Sequence, residues 1–152
     1  MAAEAVYTAS HCGICVTDLE HSLAFYRDGL GFSEGLVYKV GDEFAASLEV
    51  EGEGEVVVTS YFLHQPSLTV ELLHFESPGS VGSPSTNRNR VGLTHLSFIV
   101  DDVDEAASRL TGFGGTIIEG SRIGKGDPAS VQILFLTDPD GVRVELMHIP
   151  AP

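Results

Sequence analysis

The chain has 152 residues, with 8 Lys+Arg against 22 Asp+Glu, for a formal net charge of −14. That balance excludes phosphate-led nucleic-acid binding and polybasic attachment to a membrane, because both need clustered Lys and Arg. Hydrophobic residues make up 43%, enough for a packed core, while no apolar run approaches the roughly 18 residues of a membrane span. The start, MAAEAVYTAS, has no basic stretch followed by an apolar one, and two cysteines cannot build a disulfide framework. A reduced, cytoplasmic protein is the expectation.

In chain order, residues 9–16 read as a β-strand. Thr17-Asp18-Leu19-Glu20 has the form of a capping box and opens a helix carrying Leu19, Leu23, Phe25, Tyr26 and Leu30. Gly29 and Gly31 end that helix. Strands are predicted over 32–40 and 55–63, then a turn at Gln65-Pro66-Ser67 and a last strand over 68–75. The stretch 77–90 is rich in Gly, Pro and Ser and reads as a linker. Beyond it come a strand over 92–100, Asp102 as N-cap of a helix over 103–111, a strand over 116–119 and a loop over 120–130. A strand over 131–137, the turn Asp138-Pro139-Asp140-Gly141 and a strand over 142–149 complete the chain.

The two sides of the linker repeat each other. His11 through Leu19 aligns with His95 through Val103 at an offset of 84. Val70-Glu71-Leu72-Leu73-His74 aligns with Val144-Glu145-Leu146-Met147-His148 at an offset of 74. Each half is then a β-α-β-β-β module, the first over 7–76 and the second over 91–150. Neither is large enough to stand alone, so the expectation is a single α+β domain over 1–152.

Four chemically active side chains fall at equivalent places in the repeat: His11 and His95 on the opening strands, Glu71 and Glu145 on the closing ones. Alternation along the strands puts Glu71 with Leu73 and Phe75, Glu145 with Arg143 and Met147, and His95 with Ser97 and Ile99. Two imidazoles and two carboxylates suit a divalent Ni, Zn, Co, Mn or Fe ion and leave two octahedral positions for water or substrate. The His-to-Glu gaps are long, so no short chelating motif stands behind this set. The plain alternative for each residue is an exposed strand position.

These features together resemble the vicinal oxygen chelate superfamily. The motifs that carry the resemblance are the paired modules, the opening His11-x-x-x-x-Val16-x-Asp18-Leu19, Phe25-Tyr26 with Gly29-Leu30-Gly31-Phe32, and Asp138-Pro139-Asp140-Gly141 before Val144-Glu145-Leu146. The superfamily includes glyoxalase I, methylmalonyl-CoA epimerase, extradiol dioxygenases and the fosfomycin and bleomycin resistance proteins. The resemblance implies two modules forming an open, barrel-like cup, a metal held by His11, Glu71, His95 and Glu145, and a homodimer. It implies a lyase or isomerase that moves a proton next to a metal-chelated carbonyl, with Glu145, or else Glu71, as the base. Extradiol ring cleavage and sequestration of a small molecule are the alternatives it leaves. Phe32–Leu36 lacks the Arg with which glyoxalase I grips glutathione, and Thr94 stands where the epimerase has a second His.

Candidates to grip an anionic or thioester substrate are Arg143, which shares the face of Glu145, and Arg122 and Lys125 in the 120–130 loop. Arg88 and Arg90, at the end of the linker, are weaker ones. Cys12 and Cys15 match C-x-x-C, but within a strand residues i and i+3 face opposite ways, so redox or thiolate-metal chemistry is not expected. His74 and His148 fall on the face opposite the glutamates.

Overall fold

The computed structural model describes residues 7–151 apart from 42, 44, 125, 126 and 128. The elements are β1 (Cys12–Val16), α1 (Leu19–Leu23, continuing as π-helical turns over Ala24–Gly29), β2 (Ser33–Val40), α2 (Ala45–Leu48), β3 (Val57–Gln65) and β4 (Leu68–Ser77). They are followed by β5 (Leu96–Ile99), α3 (Val103–Thr111), β6 (Thr116–Ile117), β7 (Gln132–Thr137) and β8 (Arg143–His148). Among the described residues no helix is long and apolar enough to cross a membrane.

The repeat is visible in the hydrogen-bonding pattern. One four-stranded sheet has the order β1-β4-β3-β2 and the other β5-β8-β7-β6. In each, the first strand runs parallel to the last and the remaining pairs are antiparallel. The architecture is thus α+β, with the β-α-β-β-β order written twice.

The chain divides into two compact units, 1–17 with 32–80, and 18–31 with 81–152. The division departs from the sequence repeat at one place, since residues 18–31, which belong to the first module, group with the second. The first unit buries Ile14, Val16, Phe32, Val58, Leu63, Val70 and Leu72. The second buries Leu23, Phe25, Tyr26, Val103, Ala107, Leu110, Leu134, Leu136, Val144 and Leu146. Val103, Ala107 and Leu110 recur at helical spacing, so one stripe of α3 faces inward, where it packs on β7 and β8. α1 approaches α3 closely: a Cβ on Gly29 would stand 3.0 Å from Leu110 Cδ2.

The helix starts follow local chemistry. Asp102 accepts from the backbone N–H of Asp104 and Glu105 at 2.8 and 2.9 Å, as expected. At α1 the cap is Asp18 rather than Thr17, and it accepts from the His21 N–H at 3.0 Å. Both residues can cap; here the carboxylate takes the place, so the box expected from Thr17 and Glu20 is displaced by one residue. The helix widens near its end, where Leu30 N–H bonds Phe25 O five residues back, and Gly31 closes it at φ 77°.

Some boundaries move. The strand expected over 92–100 is ordered as a ladder only over 96–99, and that over 116–119 only over 116–117. Ser121 Oγ, accepting from Phe135 N–H and donating to Phe135 O, takes over the edge that a longer β6 would have paired. The short α2 was not legible, because Ala45-Ala-Ser-Leu48 lies beside a Glu/Gly-rich stretch that reads as loop.

Candidate functional site

Each unit carries one His–Glu pair, built alike. His11 stands one residue ahead of β1 and His95 one residue ahead of β5. His11 Nε2 lies 3.1 Å from Glu71 Oε2, and His95 Nε2 lies 3.5 Å from Glu145 Oε2. These spacings match the roughly 3 Å between neighbouring ligands on one ion with bonds of about 2.1 Å at right angles. Glu71 and His95 are half-buried and Glu145 is buried, so charge placed there is less screened than on an open surface, while His11 is exposed.

The surroundings repeat too. The residue before each His supplies a hydroxyl to its Nδ1, Ser10 Oγ at 3.0 Å from His11 and Thr94 Oγ1 at 2.9 Å from His95. As placed, Nε2–H can donate to the carboxylate; a ligating imidazole would instead carry its proton on Nδ1, where the hydroxyl can accept it, and leave the Nε2 lone pair for a metal. Phe62 faces Glu71 across the β3–β4 ladder, and Phe135 faces Glu145 across β7–β8. Each phenylalanine meets its histidine edge to face, with centroids 5.2 Å and 5.5 Å apart. One rotamer of each imidazole is thereby favoured.

The carboxylates are held differently. Ser60 Oγ, on β3, donates to Glu71 Oε1, while Ser97 Oγ, on β5, donates to Glu145 Oε2 at 2.6 Å. The position equivalent to Ser97 in the first unit is Gly13, opposite Glu71 in the β1–β4 ladder. Glu71 therefore has both oxygens engaged, Oε1 with Ser60 and Oε2 with His11. Glu145 concentrates its contacts on Oε2, and among the described residues its Oε1 has no partner. A cavity of about 380 Å³ opens beside His11, lined by Ser10, Cys12, Gln65, Pro66 and Thr69 among others.

Of the four expected ligands, the structure joins His11 with Glu71 and His95 with Glu145. Among the described residues there is no group of three or more His, Cys, Asp or Glu arranged to hold a metal.

The expected anion grips fare differently. Arg143 is 9% exposed, and its guanidinium donates to the backbone carbonyls of Thr94, Thr86 and Ser85 at 3.0, 2.8 and 3.4 Å. It ties the linker to β8 and is not available to a substrate. Arg122 donates to Asp104 and Gln132 at 2.9 and 2.8 Å and so anchors its loop to α3. Lys125 lies outside the described residues. Both cysteines are free thiols, Cys12 half-buried and Cys15 exposed.

One buried carboxyl lies outside the His–Glu pairs. Asp138 accepts from Tyr26 Oη at 2.9 Å and from the N–H groups of Asp140 and Val142 at 3.0 and 2.8 Å. Burial raises its pKa above the ordinary carboxylate value, more than these donors lower it. Its role is to fix the turn before β8, which Gly141 completes at φ 92°.

The hydroxyls on the two imidazoles were within reach of the sequence, since Ser10 and Thr94 obey the same offset of 84 as the histidines. The phenylalanines were not. Phe62 precedes Glu71 by nine residues and Phe135 precedes Glu145 by ten, so only the ladder registers show their equivalence.

The family model for the glyoxalase/bleomycin resistance protein/dioxygenase superfamily matches residues 8–146. An uncharacterized Escherichia coli protein, YaeR, is 32% identical over 139 residues, covering 90% of this chain and 92% of its own. An ethylmalonyl-CoA/methylmalonyl-CoA epimerase of Cereibacter sphaeroides is 29% identical over 147 residues, covering 92% and 96%. A glyoxalase family protein from Bacillus cereus, of known structure, superposes with a TM-score of 0.78 at 21% identity, covering 99% of each chain. With the model spanning nearly the whole repeat and both His–Glu pairs, the chain belongs to the glyoxalase/bleomycin resistance protein/dioxygenase superfamily.

Proposed function

We propose that this protein is a metal-dependent lyase or isomerase that moves a proton next to a carbonyl of a small substrate. The observation that carries the reading is the duplicated His–Glu pair, each with a hydroxyl on Nδ1 and a serine on the carboxylate. Each pair fits a divalent ion in donor type and spacing, and the reading takes His11 and Glu71 of one unit with His95 and Glu145 of the other as one donor set. A divalent ion bound there would polarise the substrate carbonyl and stabilise negative charge on its oxygen.

The chain's own residues do the rest. Ser10 and Thr94 hold the imidazoles in the ligating tautomer and orientation. Ser60 and His11 hold both oxygens of Glu71, which suits a fixed ligand. Ser97 holds Oε2 of Glu145 and leaves Oε1 to accept a substrate proton and return it. Phe62 and Phe135 limit water beside the imidazoles. The epimerase relative acts on CoA thioesters, as its name states, so thioesters with an acidic α C–H belong in the first trial set.

The test is solvent exchange. The metal-loaded protein is incubated in D₂O with methylmalonyl-CoA and with the hemithioacetal of methylglyoxal and glutathione, and loss of the α-proton is followed by NMR. The reading predicts exchange with at least one such substrate, abolished by Glu145→Gln and by chelation. Ligand affinity that survives chelation, with no exchange, would overturn it in favour of a binding protein. Oxygen uptake on a catechol would overturn it in favour of ring cleavage.

A further inference from the structure

Of the cations in the described residues, most are already committed. Arg27 pairs with Asp28, Lys39 with Glu76, and Arg122 with Asp104. Arg109 donates to the carbonyls of Asp28 and Gly29, and Arg143 to those of the linker. Arg88 is different. Like Arg90 it is exposed with no carboxylate partner among the described residues, but its guanidinium carbon sits 4.3 Å over the centre of the Phe135 ring. Phe135 is the ring that meets His95 edge to face at 5.5 Å and lies opposite Glu145 in the ladder. The two distances together cap the separation of guanidinium and imidazole at about 10 Å.

The position is built. The buried Arg143 clamps the carbonyls of Ser85 and Thr86, three and two residues before Arg88. Ser85 Oγ bonds the backbone of Asn87, and Arg90 N–H bonds Asn87 O at 3.3 Å, turning the chain there. The linker is thereby fixed against β8 and delivers Arg88 to the face of Phe135. Stacking occupies the face of the guanidinium and leaves its in-plane N–H donors pointing outward, the arrangement that receives a carboxylate edge-on.

We infer that Arg88 receives an anionic group of the substrate beside the His95–Glu145 pair, and that the substrate is therefore a small carbonyl compound carrying a carboxylate within about 10 Å of the reacting centre. This rests on the metal-dependent reading above. Arg143 is then a positioning residue, acting through the linker.

Two chelating probes separate the claims: acetohydroxamate, which is neutral beyond its chelating head, and succinic monohydroxamate, which adds a carboxylate. Each is titrated by calorimetry into the metal-loaded wild type, Arg88→Lys and Arg88→Met. The wild type is expected to favour the carboxylate probe roughly tenfold, the scale of one exposed charge-assisted pair. The preference shrinks with added salt, is partly kept by Arg88→Lys and is lost in Arg88→Met. Affinity for acetohydroxamate stays level in all three, which also reports that the variants are folded. A carboxylate preference that survives in Arg88→Met, or no preference in the wild type, overturns the role of Arg88 and leaves the metal reading standing. Failure of both probes to bind the metal-loaded wild type overturns the metal reading and this inference with it.

Discussion

At the scale of single residues, the hydroxyl before each histidine carries more weight than its size suggests. An imidazole whose Nδ1–H lacks an acceptor is free to change tautomer or rotate, and either would remove Nε2 from a bound ion. Outer-shell partners of this kind are typically worth about 10–100-fold in metal affinity. Ser10→Ala and Thr94→Val are each expected to weaken divalent-ion binding by about that factor, measured in competition with a chromophoric chelator, while Thr94→Ser stays near wild type. Equal affinities in all variants would show that Ser10 and Thr94 only happen to lie close to Nδ1. The equivalence of His11 with His95 and of Glu71 with Glu145 was legible because a repeat marks equivalent positions without any structure. Ser60 was not, since in the second unit the matching serine comes from another strand, as Ser97. Nor was the fate of Arg143: alternation gives the face a side chain leaves from, but a long side chain can end on carbonyls well away from it.

At the scale of elements, pattern and capping chemistry gave the helices and strands, and tertiary competition set their ends. α3 is the clearest case, with its cap at Asp102 and its bounds at 103–111 both where the sequence puts them. Leu110 is 1% exposed on that stripe, and Leu110→Ala is expected to cost about 2–5 kcal/mol of stability in denaturant titration. Asp102 has its pKa lowered by the N–H groups of Glu105 and Asp104. Its contribution is present above the unfolded value and is lost as pH falls through the folded one, so Asp102→Ala loses stability at neutral pH and converges on wild type in acid. Asp138 has the opposite sign. Its raised pKa means the native state binds more protons than the unfolded one, so its contribution is present below the ordinary carboxylate value and lost as pH rises through the folded one. Asp138→Asn keeps acceptor and donor at the turn and should gain on the wild type as pH is raised from about 4 toward neutrality. A constant offset across that range would contradict the burial-driven shift.

At the scale of the whole molecule, duplication is the main fact. Two sheets share one strand order, one register of histidine, glutamate and phenylalanine, and one hydroxyl before each histidine. The repeat and its β-α-β-β-β order were readable from two aligned segments. The grouping of residues 18–31 with the second unit was not, because helical periodicity shows that a face is buried without showing which sheet buries it. Duplication also explains why His–Glu gaps too long for a chelating motif still bring each pair together. A parallel first-to-last strand pairing sets the opening histidine beside the closing glutamate whatever the length between them. The halves differ in how the carboxylate is held, with Glu71 engaged through both oxygens and Glu145 through one.

The central claim is that His11, Glu71, His95 and Glu145 hold one divalent ion, and metal content tests it most directly. The wild type, His11→Ala and Glu145→Ala are incubated with Ni²⁺, Zn²⁺, Co²⁺ or Mn²⁺, desalted and analysed for bound metal. The account predicts about one ion per chain in the wild type and loss of that ion in both variants, one from each His–Glu pair. No bound ion with any of these metals, or an ion retained in either variant, would contradict it.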